Sequence, residues 1–217
     1  MTVTTCRLAV LISGAGSTMV NLAERIRGGE VPAEIALVVS SRASAAGVEK
    51  ARTLGLETAV LSRKPFTRDG AFDEDAYARA LADLLALARP DLVVLAGFMT
   101  RLGRAVLSRF QVINVHPALL PRFGGNGFYG HRVHEAVLAA GDKVTGATVH
   151  FSDLAYDTGP IILQEIVPVL AGDTPDTLAT RVQAVERRIY PEAIRLFAEG
   201  RLVRDGDHVR ILPEAGA

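Results

Sequence analysis

The sequence predicts an α/β protein built on a mostly parallel sheet. Two observations predict it. Short runs rich in Val, Ile and Leu alternate along the chain with segments of helical spacing. One of those runs, residues 91–96, is almost continuously apolar, as a strand covered on both faces must be.

The elements follow in order. Residues 8–12 form the first strand, and a helix runs from about Thr18 to Arg27. Residues 34–39 are a second, branched-rich strand. Residues 44–54 have helical spacing, with Ser44 as cap and Gly55 as stop, and residues 57–61 are a third strand. The best helix of the first half spans residues 73–88. It places Ala76, Leu81, Leu84 and Leu85 on one side and stops at Pro90. Residues 91–96 and 112–115 are the fourth and fifth strands. Residues 145–151 and 161–169 are two more, and Pro168 assigns the last to an edge. A long helix over 174–199 is capped by Asp173 or Thr174 and interrupted near Pro191. Residues 202–203 and 209–212 then pair as a small hairpin across Asp205, Gly206 and Asp207. The whole reads as a single domain over 1–217, a Rossmann-like, mostly parallel seven-stranded sheet with helices on both faces. Its N-terminal, phosphate-binding half is about 1–100, its C-terminal half about 101–200, and the hairpin occupies 201–212.

Composition narrows the function. The 217 residues carry 24 Lys plus Arg against 24 Asp plus Glu, so there is no basic surplus of the kind a general nucleic-acid binder needs. One cysteine, Cys6, excludes an internal disulfide and reads as a small core residue. Residues 1–7 lack the pattern of a signal peptide, and no apolar run reaches the length of a membrane span, so a cytoplasmic location is expected.

Four places can carry chemistry. Ser13-Gly14-Ala15-Gly16-Ser17-Thr18 joins a strand to a helix, where free N–H groups and hydroxyls favour a phosphate. It lacks the lysine of an ATP-type loop, and a ligand-free tight turn explains the segment equally well. Asn114 and His116, two apart at a strand end, share a face where ligands gather in this architecture. The amide suits an oxygen gaining negative charge, and the imidazole suits a proton; a histidine satisfied by backbone is the structural alternative. The segment from His150 to Pro160 carries Asp153 and Asp157 on a loop, and a carboxylate near His116 would favour its charged form. Residues 121–130 are glycine-rich, with Phe123, Phe128 and Tyr129, and fit either a lid or an irregular surface loop. His131 and His134 open the next helix without close metal-ligand spacing, so no metal is expected. No Gly-x-Ser-x-Gly elbow suggests a serine hydrolase.

Together these segments resemble the folate-dependent formyltransferase family over about residues 7–201. The pieces that carry the likeness occur in the family's order: Leu11-Ile12-Ser13-Gly14-Ala15-Gly16-Ser17, Leu95-Ala96-Gly97-Phe98-Met99, Ile113-Asn114-Val115-His116-Pro117, Thr148-Val149-His150-Phe151, Asp157-Thr158-Gly159-Pro160 and Glu186-Arg187-Arg188-Ile189-Tyr190-Pro191. The resemblance implies that 10-formyltetrahydrofolate, as co-substrate, gives its formyl group to the glycinamide amine of phosphoribosylglycinamide in purine synthesis. It implies that Gly16, Ser17 and Thr18 hold the substrate phosphate and that Glu186 contacts the ribose. It assigns the folate site to Met99, Thr100, Arg101, Leu102, Asn114, Asp153, Leu154, Ala155, Tyr156 and Asp157, and catalysis to Asn114, His116 and Asp157. The implied partners are small molecules, with no nucleic acid and no membrane, in a monomer or homodimer.

Three features depart from the family pattern. Thr18 stands where Asn is common, residues 123–131 are longer and richer in glycine, and Glu74-Asp75 replace a folate-contacting Arg. Arg68 is a candidate substitute, outside the assigned site. Rival readings are methionyl-tRNA formyltransferase and formyltetrahydrofolate deformylase, which the expected domain content disfavours. A non-catalytic nucleotide-binding module is the rival from another class.

Overall fold

A computed structural model describes residues 5–214; the first four residues of the stretch weighed as a leader, and residues 215–217 of the expected domain span, lie outside it. In chain order the elements are β1 (Cys6–Ile12), α1 (Ser17–Arg27), β2 (Ala33–Ser40), α2 (Ala46–Thr53), β3 (Thr58–Val60), a 3₁₀ turn (Lys64–Phe66), β4 (Thr67–Arg68), β5 (Ala71–Phe72) and α3 (Glu74–Ala88). Then come β6 (Leu92–Leu95), α4 (Arg104–Leu107), β7 (Val112–His116), α5 (His131–Ala139), β8 (Val144–Phe151), β9 (Ile161–Pro168), α6 (Pro175–Ala198), β10 (Leu202–Asp205) and β11 (His208–Ile211). Seven strands form one sheet in the order β3-β2-β1-β6-β7-β8-β9, with two separate two-stranded ribbons. This is the expected α/β class, and Pro168 does end the edge strand. No helix of the described residues is long and apolar enough to cross a membrane. The described residues divide between Ile113 and Asn114 into two compact units.

In the first unit β1 pairs in parallel with β2 and β6, and β2 with β3. Leu8 to Ile12 are fully buried, so β1 is the spine of this unit. Cys6 is buried on it, and desolvation, aided by Asp91, pushes its thiol up to about 11, which suits a packing role. The apolar stripe of α3 is rotated from the expected one. Tyr77, Leu81 and Leu85, four apart, pack with Ala9, Leu11 and Val93, while Ala76 is only half-buried. Tyr77 wins the inward place because its ring buries more area and its hydroxyl donates to the Leu61 carbonyl at 3.0 Å. Asp73 caps α3, accepting from Ala76 N–H at 2.8 Å, with Glu74 and Asp75 favourably placed in the first turn.

Ser44 does not cap α2. Ala45 stands at the cap without a side-chain bond, and the Gly47 N–H donates instead to the Gly14 carbonyl at 3.0 Å. The amide a capping side chain would have served is thus already used. Helix α4 and the β4–β5 ribbon have no sequence signature. Both are too short to show a period, and the ribbon closes through Asp69 and Gly70, both left-handed.

In the second unit β8 and β9 pair antiparallel from Val144↔Pro168 to His150↔Ile161. Helix α6 packs Leu178, Val182, Ile189, Ala193 and Ile194 inward. Thr174 is its cap, in a reciprocal box with Thr177. The expected interruption at Pro191 does not occur, and the helix is continuous through it. Proline removes one ladder bond there, but buried neighbours on the same face offset that loss. The terminal hairpin extends to Asp205↔His208, so its turn is Gly206-Asp207, one residue tighter than expected.

Candidate active site

Strand β7 ends on Asn114 and His116, and β8 ends close to a second histidine, His150. Alternation brings the Asn114 and His116 side chains to one cluster. Asn114 Nδ2 lies 3.4 Å from His150 Nε2, and His116 Nδ1 lies 3.5 Å from Asp157 Oδ2. Asp157 Oδ1 is 3.6 Å from His150 Nε2. Asp157, His116 and Asn114 therefore come together as the resemblance implied. Asp157 reaches them from a loop in which it adopts a left-handed φ of 57°. The base of that loop is fixed at Gly159, where a Cβ would stand 1.9 Å from the Phe151 carbonyl oxygen.

The tautomers follow from what each ring nitrogen meets. His116 Nε2 lies 2.7 Å from the Phe123 carbonyl oxygen. A carbonyl can only accept, so Nε2 carries the hydrogen and Nδ1 is the ionisable atom. His150 Nδ1 donates to the Phe151 carbonyl at 2.8 Å, which leaves its Nε2 lone pair for the Asn114 amide. His150 stands in the Thr148-Val149-His150-Phe151 run, where the sequence assigns it no role. The signal that could have found it is a histidine near each of two strand ends.

Electrostatics modify one expectation. Burial lowers the pKa of His116, and His150 adds to that. Asp157 raises it, as expected, and so does the Phe123 carbonyl, but the net direction is down. Burial of Asp157 works against its charge. The Gly125 N–H, which donates at 3.0 Å, and the positive charge of either neighbouring ring when it is protonated nevertheless hold its carboxyl below the usual range. The resting pair is a neutral imidazole beside a carboxylate: a base ready to take a proton.

Thr148 anchors the segment that follows β7. Its buried hydroxyl donates to the Ala118 carbonyl at 2.6 Å and accepts from Leu120 N–H at 3.1 Å and from Gln164 Nε2 at 2.9 Å. His134 of α5 is also buried, and its Nδ1 has no hydrogen-bond partner. Its pKa falls to about 4 through burial, with His131 and His116 adding to the effect. No group of three or more His, Cys, Asp or Glu among the described residues is arranged to hold a metal.

The remaining predicted residues are placed as follows. In the first unit Gly16 is left-handed, with φ 70°, at the start of α1, and no side chain caps that helix. The first-turn amides of Ser17 and Thr18 therefore lack intrahelical acceptors. Ser13 is committed to structure: its hydroxyl meets Ser41 Oγ at 2.6 Å and accepts from Met99 N–H at 2.8 Å. Met99 and Arg101 are exposed, and Arg101 pairs with Glu74 at 3.6 Å. Thr100 and Leu102 are buried, so any ligand contact there falls to backbone. In the second unit Asp153, Leu154, Ala155 and Tyr156 are exposed, offering apolar surface at Leu154 and Tyr156. Glu186 lies on α6, where burial pushes its carboxyl up to about 7 against the charge of Arg187.

Comparison with known proteins gives this geometry a family. The model of the family described as formyl transferase matches residues 6–194. The phosphoribosylglycinamide formyltransferase of Escherichia coli (strain K12) is 39% identical over 197 residues, which cover 90% of this chain and 88% of that protein. The trifunctional purine biosynthetic protein adenosine-3 of Bos taurus is 42% identical over 207 residues, but the match spans 94% of this chain and 19% of that longer protein. The crystal structure of glycinamide ribonucleotide transformylase 1 from Symbiobacterium toebii superposes with a TM-score of 0.88 at 43% identity, covering 96% of this chain and 95% of that one. With the family model matched across most of its length, this chain belongs to the formyl transferase family.

Proposed function

We propose that the chain transfers the formyl group of 10-formyltetrahydrofolate to the amine of phosphoribosylglycinamide. The observation that carries the reading is the pair of buried His116 Nδ1 and partly buried Asp157 Oδ2, 3.5 Å apart, with the Asn114 amide joined to the same cluster through His150. The acceptor amine is its own nucleophile, so the cluster needs no activated Ser or Cys. Attack forms a C–N bond to the formyl carbon and leaves a negative oxygen and a positive nitrogen. The Asn114 amide stabilises the oxygen. The nitrogen's proton passes to His116 Nδ1, beside the Asp157 carboxylate, and then to the departing folate nitrogen as its bond to the formyl carbon breaks.

In this reading the backbone and hydroxyls of Gly16, Ser17 and Thr18 hold the substrate phosphate, and Glu186 contacts the ribose. Residues 99–102 and 153–157, with Asn114, line the folate. The protein is then a cytoplasmic enzyme of small-molecule substrates, monomeric or homodimeric, working without a metal. The test is a folate-dependent assay with phosphoribosylglycinamide beside a set of other amine acceptors and water. Formyl transfer to phosphoribosylglycinamide in preference to the others is expected. Transfer only to another amine, or hydrolysis of formyl-folate alone, would overturn the reading in favour of another formyltransferase or a deformylase.

A further inference from the structure

The glycine-rich segment reaches the His116–Asp157 pair through its backbone at three consecutive residues. The Phe123 carbonyl accepts from His116 Nε2 at 2.7 Å, and the Gly125 N–H donates to Asp157 Oδ2 at 3.0 Å. Between them, a Cβ on Gly124 would stand 2.6 Å from Leu120 Cδ2 and 3.3 Å from Asp157 Cβ. Phe123 and Gly125 both have positive φ, 55° and 95°. For Phe123 that conformation carries a steric cost. Its ring is held by an edge contact with Phe128 at 6.2 Å and by the Arg122 guanidinium at 4.9 Å.

We propose that Phe123-Gly124-Gly125 is the positioning element of the proton-transfer pair. The Phe123 carbonyl locks His116 as the Nε2–H tautomer, so that Nδ1 takes and returns the proton. The Gly125 amide holds the Asp157 carboxylate against Nδ1, and the bare Gly124 lets the backbone come that close. The inference rests on the formyl-transfer reading for its catalytic meaning but not for its geometry.

A carbonyl at Nε2 requires N–H there in both charge states of the ring. The neutral ring then keeps its lone pair on Nδ1, and the protonated ring presents N–H to a carboxylate at that position. One backbone contact thereby fixes which atom exchanges protons before any substrate arrives. Pre-placed groups of this kind matter because a misplacement of about 1 Å can cost on the order of 10²-fold in rate.

The first test is the tautomer itself, read from long-range ¹H–¹⁵N spectra of ¹⁵N-histidine-labelled full-length protein. His116 is expected to show a protonated Nε2 and a bare Nδ1 above its titration. An Nδ1–H tautomer, or a fast mixture of the two, would overturn the proposal. This result stands whether or not formyl transfer is the activity, so the two ideas fail separately. The second test is Gly124→Ala. The new methyl must push the Leu120 side chain aside and move Asp157 by a few tenths of an ångström. Turnover is expected to fall roughly tenfold with a smaller change in KM. Combining it with Leu120→Val shortens the side chain that makes the closer contact, with little lost volume, and leaves the contact to Asp157. Thermal stability should then recover relative to Gly124→Ala while turnover stays low. Turnover that recovers with stability would show a merely structural role and would overturn the proposal.

Discussion

Replacing His134 by Leu should make the protein more resistant to acid. His134 is 2% exposed, its Nδ1 has no partner, and burial with two neighbouring histidines lowers its pKa from 6.5 to about 4. The folded state therefore binds a proton less readily than the unfolded chain. Above pH 6.5 both states are neutral, and the group exerts no pH-dependent penalty. As pH falls from 6.5 to about 4 the unfolded chain gains its proton first, and stability is lost over that window. A lowering of this size corresponds to about 3 kcal/mol at one pKa unit per 1.36 kcal/mol, an upper bound for a single buried ring. Leu fills similar space and also removes the unpaired nitrogen, which costs about 1–3 kcal/mol where it stands. Urea unfolding at pH 7.5, 5.5 and 4.5 gives the comparison. The variant should match or exceed the parent at pH 7.5, and its advantage should grow by roughly 2–3 kcal/mol towards pH 4.5. An advantage that stays constant across the three pH values would refute the reasoning, since only a group titrating differently in the two states produces a slope.

Other substitutions probe other parts of the molecule. His116→Ala and Asp157→Asn should each lower turnover by about 10²–10⁴-fold, with much smaller changes in KM for either substrate. Near-normal turnover in steady-state assays would remove them from the chemistry. Lys50 Nζ donates to the Ala15 carbonyl at 2.9 Å, and Gly47 N–H to the Gly14 carbonyl at 3.0 Å, so α2 braces the phosphate-loop candidate from behind. Lys50→Met should raise KM for the phosphorylated acceptor roughly two- to fivefold, and a titration with ribose 5-phosphate should weaken in parallel. Equal effects on an acceptor lacking phosphate would contradict that role. Thr148→Val keeps the shape but strips three hydrogen bonds from a buried hydroxyl, and should cost about 2–4 kcal/mol in denaturant unfolding. Glu186→Gln should stabilise the protein above pH 7 and not below pH 4.5. Its raised carboxyl pKa makes folding release favourable energy only while the acid stays protonated; thermal melts at pH 4.5 and 8 read the difference.

Much of this architecture is legible in the sequence because burial imposes simple periods. The run through Leu8–Ile12 and the helix ending at Pro90 announce themselves by composition and by stops. What escaped depends on partners distant along the chain. The inward place of Tyr77 is decided by the Leu61 carbonyl, and Ser44 loses its cap role because Gly14 already takes the Gly47 amide. At the candidate site, Asn114 and His116 were legible together from strand alternation. Asp157 was not, because no spacing rule carries a loop residue across 41 positions to a ring; the family likeness supplied it. The roles of Phe123 and Gly125 were hidden for a different reason. They act through carbonyl and amide, which every residue has, so no side-chain type marks them.

The Thr148 hydroxyl has a consequence for how this segment can change over evolutionary time. By clamping the Ala118 carbonyl and the Leu120 amide, it ends the rigid part of the chain just before Pro121. A second set of attachments closes at Gly125. Beyond Gly125 the tie back to this segment is the Phe128 ring against Phe123, so insertions or deletions between Asn126 and Gly130 that keep that contact leave His116 in register. A chain organised this way can vary a loop a few residues from a group whose placement it cannot vary at all.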